Sequence, residues 1–306
     1  MKIQIVEVGP RDGLQNEAQQ LATSDKQRLI EMLLAAGLKR IEVGAFVSPK
    51  KIPQMANSRD VIMALEKSSL VPKEAWKSLS ALVPNEQGML EALKTPIKEV
   101  AVFAAVSESF SQKNINCSVA ESIDRFQSVI ELAKENKVKV RGYLSTCFWC
   151  PYEGEIKPKQ VIKVVEKILK LGVFELSIGD TIGAATPKDV RALLKPLLKV
   201  SAVKKTAMHF HDTRGTALAN ITESLQHGIQ VFDSSIGGLG GCPYAPGASG
   251  NVATEDVVYL LNREGAKVDV DLEKLILVNK WLDKILARQL PSKVGRAGLP
   301  KHFMRS

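Results

Sequence analysis

Apolar, β-branched stretches alternate with amphipathic helical ones along nearly the whole chain. The strand-like stretches cover residues 3–9, 40–46, 77–83, 99–106, 139–146, 174–180, 206–212 and 230–237. Between them apolar residues recur at helical spacing. Over 24–37, Leu29, Ile30, Leu33 and Leu34 share one face, with Ser24 placed to cap the start and Gly37 the end. Residues 118–136, 159–171, 188–198, 217–228 and 254–264 repeat the pattern. Strands separated by helices imply parallel pairing through crossovers. Eight such units in about 260 residues predict an α/β fold, a (β/α)8 TIM barrel. A doubly wound dinucleotide-binding sheet would want G-x-G-x-x-G after the first strand, and Gly9-Pro10-Arg11-Asp12-Gly13 does not supply it. A further helical pattern over 271–290 predicts an additional C-terminal helix. We expect one catalytic domain, with residues 1–265 forming the barrel and 266–306 a helical extension that covers it as a lid or end piece.

Composition narrows the class. The 306 residues are 45% hydrophobic, ordinary for a globular protein and too apolar for a disordered one. No apolar run reaches the ~18 residues of a spanning helix, so no membrane partner is expected. The opening Met1-Lys2-Ile3-Gln4-Ile5-Val6-Glu7 carries neither a signal core nor a transit pattern. That predicts a cytoplasmic protein, or one from which a targeting peptide has been trimmed. Four cysteines, Cys117, Cys147, Cys150 and Cys242, are too few for a disulfide framework and read as thiols. The net charge of +9 is spread along helices and never forms a block. It suits a solvated surface, or steering of a small anionic substrate, better than a nucleic-acid partner.

A barrel places its chemistry at the C-terminal ends of its strands. Those ends carry Arg11-Asp12, Glu42, Arg141, Ser145, Asp180, His209, His211 and Asp233, where a packed interior would prefer Val, Ile and Leu. Side chains alternate along a strand, so the imidazoles of His209-Phe210-His211 face the same side and suit neighbouring ligand positions on one metal ion. Two hydrogen-bonded core histidines are the alternative, but the chain has only four histidines and carboxylates surround this pair. Asp12 is a candidate third ligand and Asn251 a fourth. Imidazoles with oxygen ligands form a fairly hard site that fits Mg²⁺ or Mn²⁺ better than structural zinc.

After the eighth strand, Gly237-Gly238-Leu239-Gly240-Gly241-Cys242-Pro243-Tyr244 reads as a phosphate cradle, as a mobile loop carrying Cys242 over the site, or as a flexible connection. Cys147-Phe148-Trp149-Cys150 has no second pair for zinc and reads as structural.

Several blocks in order resemble the 3-hydroxy-3-methylglutaryl-CoA lyase family. They are the run from Val8-Gly9-Pro10-Arg11-Asp12-Gly13-Leu14-Gln15-Asn16-Glu17, then Ile41-Glu42-Val43 with Phe46-Val47-Ser48-Pro49, and Asn114-Ile115-Asn116-Cys117-Ser118. Gly179-Asp180-Thr181-Ile182-Gly183, His209-Phe210-His211-Asp212-Thr213 and Gly238-Leu239-Gly240-Gly241-Cys242-Pro243-Tyr244-Ala245 continue it. The resemblance implies metal-dependent retro-Claisen cleavage of an acyl-CoA to acetyl-CoA and acetoacetate, as in leucine degradation, by a homo-oligomer, a dimer or tetramer.

It also implies roles for residues. Asp12, His209, His211 and Asn251 would hold the metal. Asp12 and His209 would help remove the C3 hydroxyl proton, Arg11 would stabilise the enolate, and Cys242 would supply a proton. Glu42, counted with the catalytic residues, and Asp180 would orient these groups, unless each is a buried structural carboxylate. Apart from the resemblance, the strand-end charges Arg11, Asp180 and Arg141 are candidate substrate-binding residues. Some positions depart from the family pattern: Gly44-Ala45 where hydroxyl residues are usual, Phe210 between the histidines, Arg214 where Tyr is common, and Ala287-Arg288-Gln289 in the stretch that grips coenzyme A. They leave the coenzyme A contacts and the acyl-chain preference open.

Three other readings compete: a lyase for a longer 3-hydroxy-3-alkylglutaryl-CoA, a synthase running the Claisen reaction forward, and a non-catalytic basic binding protein. The Gly-Cys loop and the lack of room for a regulatory domain argue against the synthase. The intact set of acid, imidazole and thiol argues against the inert scaffold.

Overall fold

The computed structural model describes residues 2–241 and 250–301, so Cys242 lies outside the described residues. Eight parallel strands close a barrel in strict chain order. They are β1 (Gln4–Glu7), β2 (Arg40–Ala45), β3 (Leu79–Leu82), β4 (Glu99–Ala105), β5 (Lys139–Ser145), β6 (Glu175–Asp180), β7 (Thr206–Phe210) and β8 (Val231–Ser234). β8 returns to β1 with Gln4 opposite Val231 and Glu7 opposite Ser234. The expected (β/α)8 TIM barrel is therefore the observed fold, and strand boundaries differ from the sequence reading mainly at their ends. The eighth is cut short where the chain turns at Ile236–Gly238.

Around the barrel lie α1 (Thr23–Ala35), α2 (Ser58–Lys67), α3 (Glu86–Ala92), α4 (Glu108–Ile115), α5 (Val119–Asp124) and α6 (Phe126–Glu135). They are followed by α7 (Pro158–Lys170), α8 (Pro187–Val200), α9 (Ala217–Gln226), α10 (Thr254–Arg263), α11 (Leu272–Ile285) and α12 (Lys293–Ala297). The helical periodicity did not single out α2, α3 or α4. The helix expected over 118–136 is two segments, α5 opened by a Ser118/Glu121 capping box and α6 beyond it. Arg125 between them keeps right-handed helical dihedrals, so the break changes the bonding pattern more than the chain direction. Ser24 is not the cap of α1. The helix begins at Thr23, whose hydroxyl accepts from Asn57 Nδ2 at 3.2 Å. No described helix is long and apolar enough to cross a membrane.

The apolar faces of the helices pack on the outside of the barrel in one continuous core. α11 sits among these helices, packed against α1 and α10. It stops earlier than expected because Ala287 turns into the left-handed region, φ 49°, and Leu290 N–H donates to Asp283 Oδ1 at 2.7 Å.

The barrel interior is not simply apolar. Arg40 forks onto Glu175 at 2.8 and 3.0 Å and reaches Glu99 at 3.4 Å. Arg141 Nε donates to the same Glu175 at 2.6 Å, and its other edge forks onto Asp233 at 2.8 and 3.2 Å. Charges of alternating sign thus climb from the N-terminal end of the strands towards the mouth. Each charge of this ladder faces one of opposite sign, as the desolvation cost of an unpaired one demands.

Gly37 ends α1 as expected. Its N–H donates to Leu34 O at 2.9 Å while Leu38 N–H donates to Leu33 O at 3.2 Å, the paired bonds of a Schellman turn. Its φ is +97°, and a Cβ there would stand 2.6 Å from Asp269 O; Gly172, φ +94° after α7, would meet nothing within 4 Å. Gly172→Ala should therefore cost only the left-handed backbone penalty, about 1–2 kcal/mol. Gly37→Ala should cost more, because backbone must also move. Denaturant unfolding of the two variants tests this; equal losses would refute the steric account.

Candidate active site

The first strand leads directly into a π-type turn, Gly9–Gly13. The N–H groups of Arg11, Asp12 and Gly13 all converge on Val8 O, at 3.1, 2.7 and 3.2 Å. Such wide turns are rare and concentrate at functional sites. This one turns Arg11 and Asp12 over the open end of the barrel. There they line a cavity of about 490 Å³ with His209, His211, Tyr143 and Gly241.

Asp12, His209 and His211 each offer a ligand atom, and these atoms lie within 4.8 Å of one another. The two imidazole rings are 5.3 Å apart, centroid to centroid, as residues i and i+2 of one strand edge should be. Asn251 joins them: its Nδ2 donates to Asp12 Oδ2 at 2.8 Å and to Leu239 O at 3.2 Å, while its buried Oδ1 has no partner among the described residues. His211 Nδ1 is likewise buried without a partner among them. Unpartnered buried acceptors are costly, and a cation is what two imidazoles, a carboxylate and an amide oxygen together would satisfy. The donor set fits a divalent ion of the hard-to-borderline class.

The surroundings fix these groups. Asp233 Oδ2 holds His209 Nδ1 at 3.3 Å, leaving Nε2 as the nitrogen free to ligate. The same carboxylate takes the Arg141 fork and the Ser177 hydroxyl at 2.6 Å. Burial opposes its ionisation, but Arg141 and the His209 bond outweigh it and hold Asp233 well below the usual carboxylate range. Burial, with the neighbouring His209, pushes His211 down to about 3, against a weaker opposing pull from Asp12. It therefore stays neutral, the form a metal needs. Asp12 is pulled below the ordinary value: burial works against this, and Arg11 and the imidazoles prevail.

Arg11 donates through Nε to Glu42 Oε2 at 2.5 Å and through Nη1 to Asp12 Oδ1 at 2.6 Å. Burial disfavours its charge, and those two carboxylates more than restore it. Its Nη2 makes no hydrogen bond among the described residues, which leaves one edge of a fixed cation for a ligand. Glu42 is fully buried. It does not line the cavity but accepts from two residues that do, Arg11 and, at 3.4 Å, the Tyr143 hydroxyl, so its place is that of a positioning residue. The β2–β3 register shifts between Glu42 and Gly44, next to this contact.

Two candidates do not line the cavity. Arg141 does not reach the mouth. It is the third residue of β5, 1% exposed, with both guanidinium edges committed to Glu175 and Asp233. It holds the carboxylate under His209 and does not line the cavity. Asp180 ends β6 as expected, but its oxygens accept the Ala184 and Ala185 N–H groups at 3.0 Å each. Burial raises it to about 6 against those two bonds; it braces the following loop and does not face the cavity.

Of the departures, Phe210 turns away from the site onto Phe148, and Arg214 ties down Ile182 O and Gly183 O. Cys147 is buried with its thiol on Leu144 O, and Cys150 contacts Ser107 Oγ, a structural pair as read.

Sequence reasoning missed Tyr143, two positions beyond Arg141 on the same inward face. Its ring lies 5.5 Å from the Arg11 guanidinium carbon and 4.8 Å from that of Arg141. It also missed Gln15, whose Nε2 donates to Asp12 Oδ1 at 3.1 Å, and Glu7. Glu7 Oε1 accepts both Gly9 N–H and Ile236 N–H at 2.8 Å, joining the Arg11-Asp12 turn to the root of the glycine loop. Glu255 takes the next N–H of that root, Gly237, on both oxygens. Gly240 completes it: φ +122°, with any Cβ only 2.7 Å from Asn251 Nδ2.

Asp233→Asn should weaken Mn²⁺ binding by about 10–100-fold, read by calorimetric titration; unchanged affinity would show that His209 needs no carboxylate to hold it. Burial raises Glu7 to about 7 and Glu255 to about 8, each against its hydrogen bonds. The folded state thus binds more protons than the unfolded one above pH 4.5. Stability from these groups is full below that value and is lost as pH rises through 7 and 8. Glu255→Gln should therefore flatten the fall of Tm between pH 6 and 9, and a parallel curve would refute the assignment.

The HMGL-like family model matches residues 2–281. The chain is 48% identical to the 3-hydroxy-3-isohexenylglutaryl-CoA/hydroxymethylglutaryl-CoA lyase of Pseudomonas aeruginosa over 300 residues, 98% of each chain. It is 47% identical to the hydroxymethylglutaryl-CoA lyase of Bacillus subtilis, over 95% of this chain and 96% of that one. Among solved structures, hydroxymethylglutaryl-CoA lyase from P. aeruginosa superposes with a TM-score of 0.92 at 48% identity, covering 97% of both chains. An HMG-CoA lyase from Acinetobacter baumannii, in complex with coenzyme A and 3-methylmalate, gives 0.91 at 34% identity over 100% of this chain and 98% of that one. With a family match over most of its length, and relatives of this identity along nearly all of it, the chain belongs to the HMGL-like family.

Proposed function

We propose that this protein is a carbon–carbon lyase that cleaves 3-hydroxy-3-methylglutaryl-CoA to acetyl-CoA and acetoacetate with a divalent cation, Mg²⁺ or Mn²⁺. The observation that carries the reading is the Asp12, His209 and His211 ligand cluster beside the fixed Arg11 cation in one cavity.

Asp12, His209, His211 and Asn251 would hold the ion. Bound there, it supplies Lewis acidity and a template for the substrate's oxygens. The chain's own groups account for the proton and charge movements. Asp12 and His209 are placed to take the proton of the C3 hydroxyl. The C2–C3 bond then breaks, C3 becomes the ketone of acetoacetate, and the electron pair passes to C2 and the thioester oxygen as an enolate. Negative charge develops on that oxygen, and a fixed cation aimed at it favours the transition state over the ground state. Arg11 fills this role because Glu42 and Asp12 hold its other edges. Cys242 follows the glycine loop whose root Glu7 and Glu255 fix. The family resemblance makes it the proton donor to C2.

A second reading, a lyase for thioesters with a longer C3 substituent, is favoured by the apolar wall that Leu82, Phe103, Phe110 and Ile115 give the cavity. The P. aeruginosa relative's name carries such a substrate, a 3-isohexenyl homologue.

Acetoacetate release should require Mg²⁺ or Mn²⁺ and stop on chelation. Arg11→Met should lower kcat by about 10²–10³, and His209→Ala and Cys242→Ser should abolish most turnover. Metal-independent activity, or full activity in Cys242→Ser, would overturn the mechanism. Turnover of the isohexenyl homologue with 3-hydroxy-3-methylglutaryl-CoA left intact would select the second reading.

A further inference from the structure

The groups described so far account for the acyl half of the substrate, at the floor of the cavity. An acyl-CoA also carries a diphosphate and a 3′-phosphate at the far end of its pantetheine arm, and these lie outside the barrel when the thioester is at Arg11. The cations near the mouth are mostly committed elsewhere. Arg11 is paired with Glu42 and Asp12. Arg288, in the stretch where the family resemblance places a coenzyme A grip, donates to Glu17 Oε1 at 2.5 Å. Lys293 is paired with Asp212 at 3.0 Å, Arg214 is spent on two carbonyls, and Lys113 lies 4.7 Å from the Tyr152 ring centroid.

Lys51 differs. It lines the cavity, is exposed, and makes no ion pair or side-chain hydrogen bond among the described residues. Its backbone is nonetheless well fixed. The N–H groups of Lys51 and Ile52 both donate to Ser48 O at 3.0 Å, and Phe46 N–H donates to Leu82 O at 2.8 Å. Just beyond, Gln54 Nε2 donates to Glu17 O at 2.7 Å, and the buried Lys26 ammonium binds Gln54 O. Val47 and Ile52 line the same rim. The loop therefore presents an apolar edge suited to the pantetheine arm, with the Lys51 ammonium above it on a pre-organised base; Lys50 beside it is also exposed but does not line the cavity.

We propose that Lys51 is a substrate-binding residue that contacts the phosphates of the coenzyme A moiety, an inference that rests on the acyl-CoA reading above. A single ammonium–phosphate contact at a solvent-exposed rim should be worth roughly three- to tenfold in affinity, and it should weaken with salt.

The test compares 3-hydroxy-3-methylglutaryl-CoA with the corresponding pantetheine thioester, which lacks the phosphates, in wild type, Lys51→Ala, Lys51→Glu and Lys51→Arg. Lys51→Ala should raise KM for the CoA thioester about three- to tenfold, Lys51→Glu further, and Lys51→Arg least. The preference for the CoA over the pantetheine thioester, as a ratio of kcat/KM, should fall by the same factor. KM should also depend less on ionic strength in Lys51→Ala than in wild type. Lys73→Ala, on the turn before β3 at the opposite end of the barrel, controls for net charge. Calorimetric titration with coenzyme A itself gives a readout independent of turnover.

Equal changes on both thioesters would place the contact on the acyl half and overturn the proposal, as would no change on either. Failure of wild type to cleave either thioester would count against the lyase reading alone, since coenzyme A binding would still report on Lys51.

Discussion

The site depends on one carboxylate. Asp233 sits inside the barrel with no access to water and accepts from Arg141, Ser177 and His209 at once. Ionised and buried, it needs Arg141 beneath it. Arg141 in turn needs Glu175, and Glu175 is shared with Arg40. The chain of opposite charges runs from the closed end of the barrel to the imidazole at its mouth. Replacing such a network with apolar residues is often neutral for stability, while removing one member leaves a stranded charge. In this barrel the network also fixes the nitrogen that His209 offers, something an apolar core could not do.

A second constraint acts across the loops. The Arg11-Asp12 turn and the glycine loop are more than two hundred residues apart in sequence, yet Glu7 accepts an N–H from each and the Thr254 hydroxyl besides. Glu255 and Asn251 extend the stitching to Gly237 and Leu239. The C-terminal segment joins from outside, where Ser292 N–H donates to Gly237 O at 3.1 Å. Residues beyond the barrel therefore set the root of the loop that leads to Cys242. Groups pinned in this way lose little freedom when substrate binds, which is the condition for effective orientation.

Much of the fold was legible in the sequence. A period of two in the strands and of 3.6 in the helices reflects backbone geometry and does not depend on context. The alternation of eight strands with helices leaves few parallel topologies. The inward pairing of His209 and His211 followed from the same alternation, as did the position of Asp12 just past the first strand. Short helices such as α3 and α4 escaped because few turns give little periodic signal. Ser24 was misplaced as a cap because the helix starts one residue earlier, at Thr23, after an alanine that offers no side-chain cap.

The sequence by itself determined the architecture and the kind of chemistry, since strand-end position and residue type are local properties. Only the tertiary structure decided which charged groups face the substrate and which serve the groups that do. Arg141 and Asp180 looked like mouth residues, yet one is saturated by two carboxylates and the other by two backbone amides. Tyr143, Glu7 and Lys51 drew no attention in the sequence and proved to stand at the site, at its loops and at its rim. A side chain's role depends on which partners have already taken its hydrogen bonds. Those partners come from strands and loops that meet only when the barrel closes.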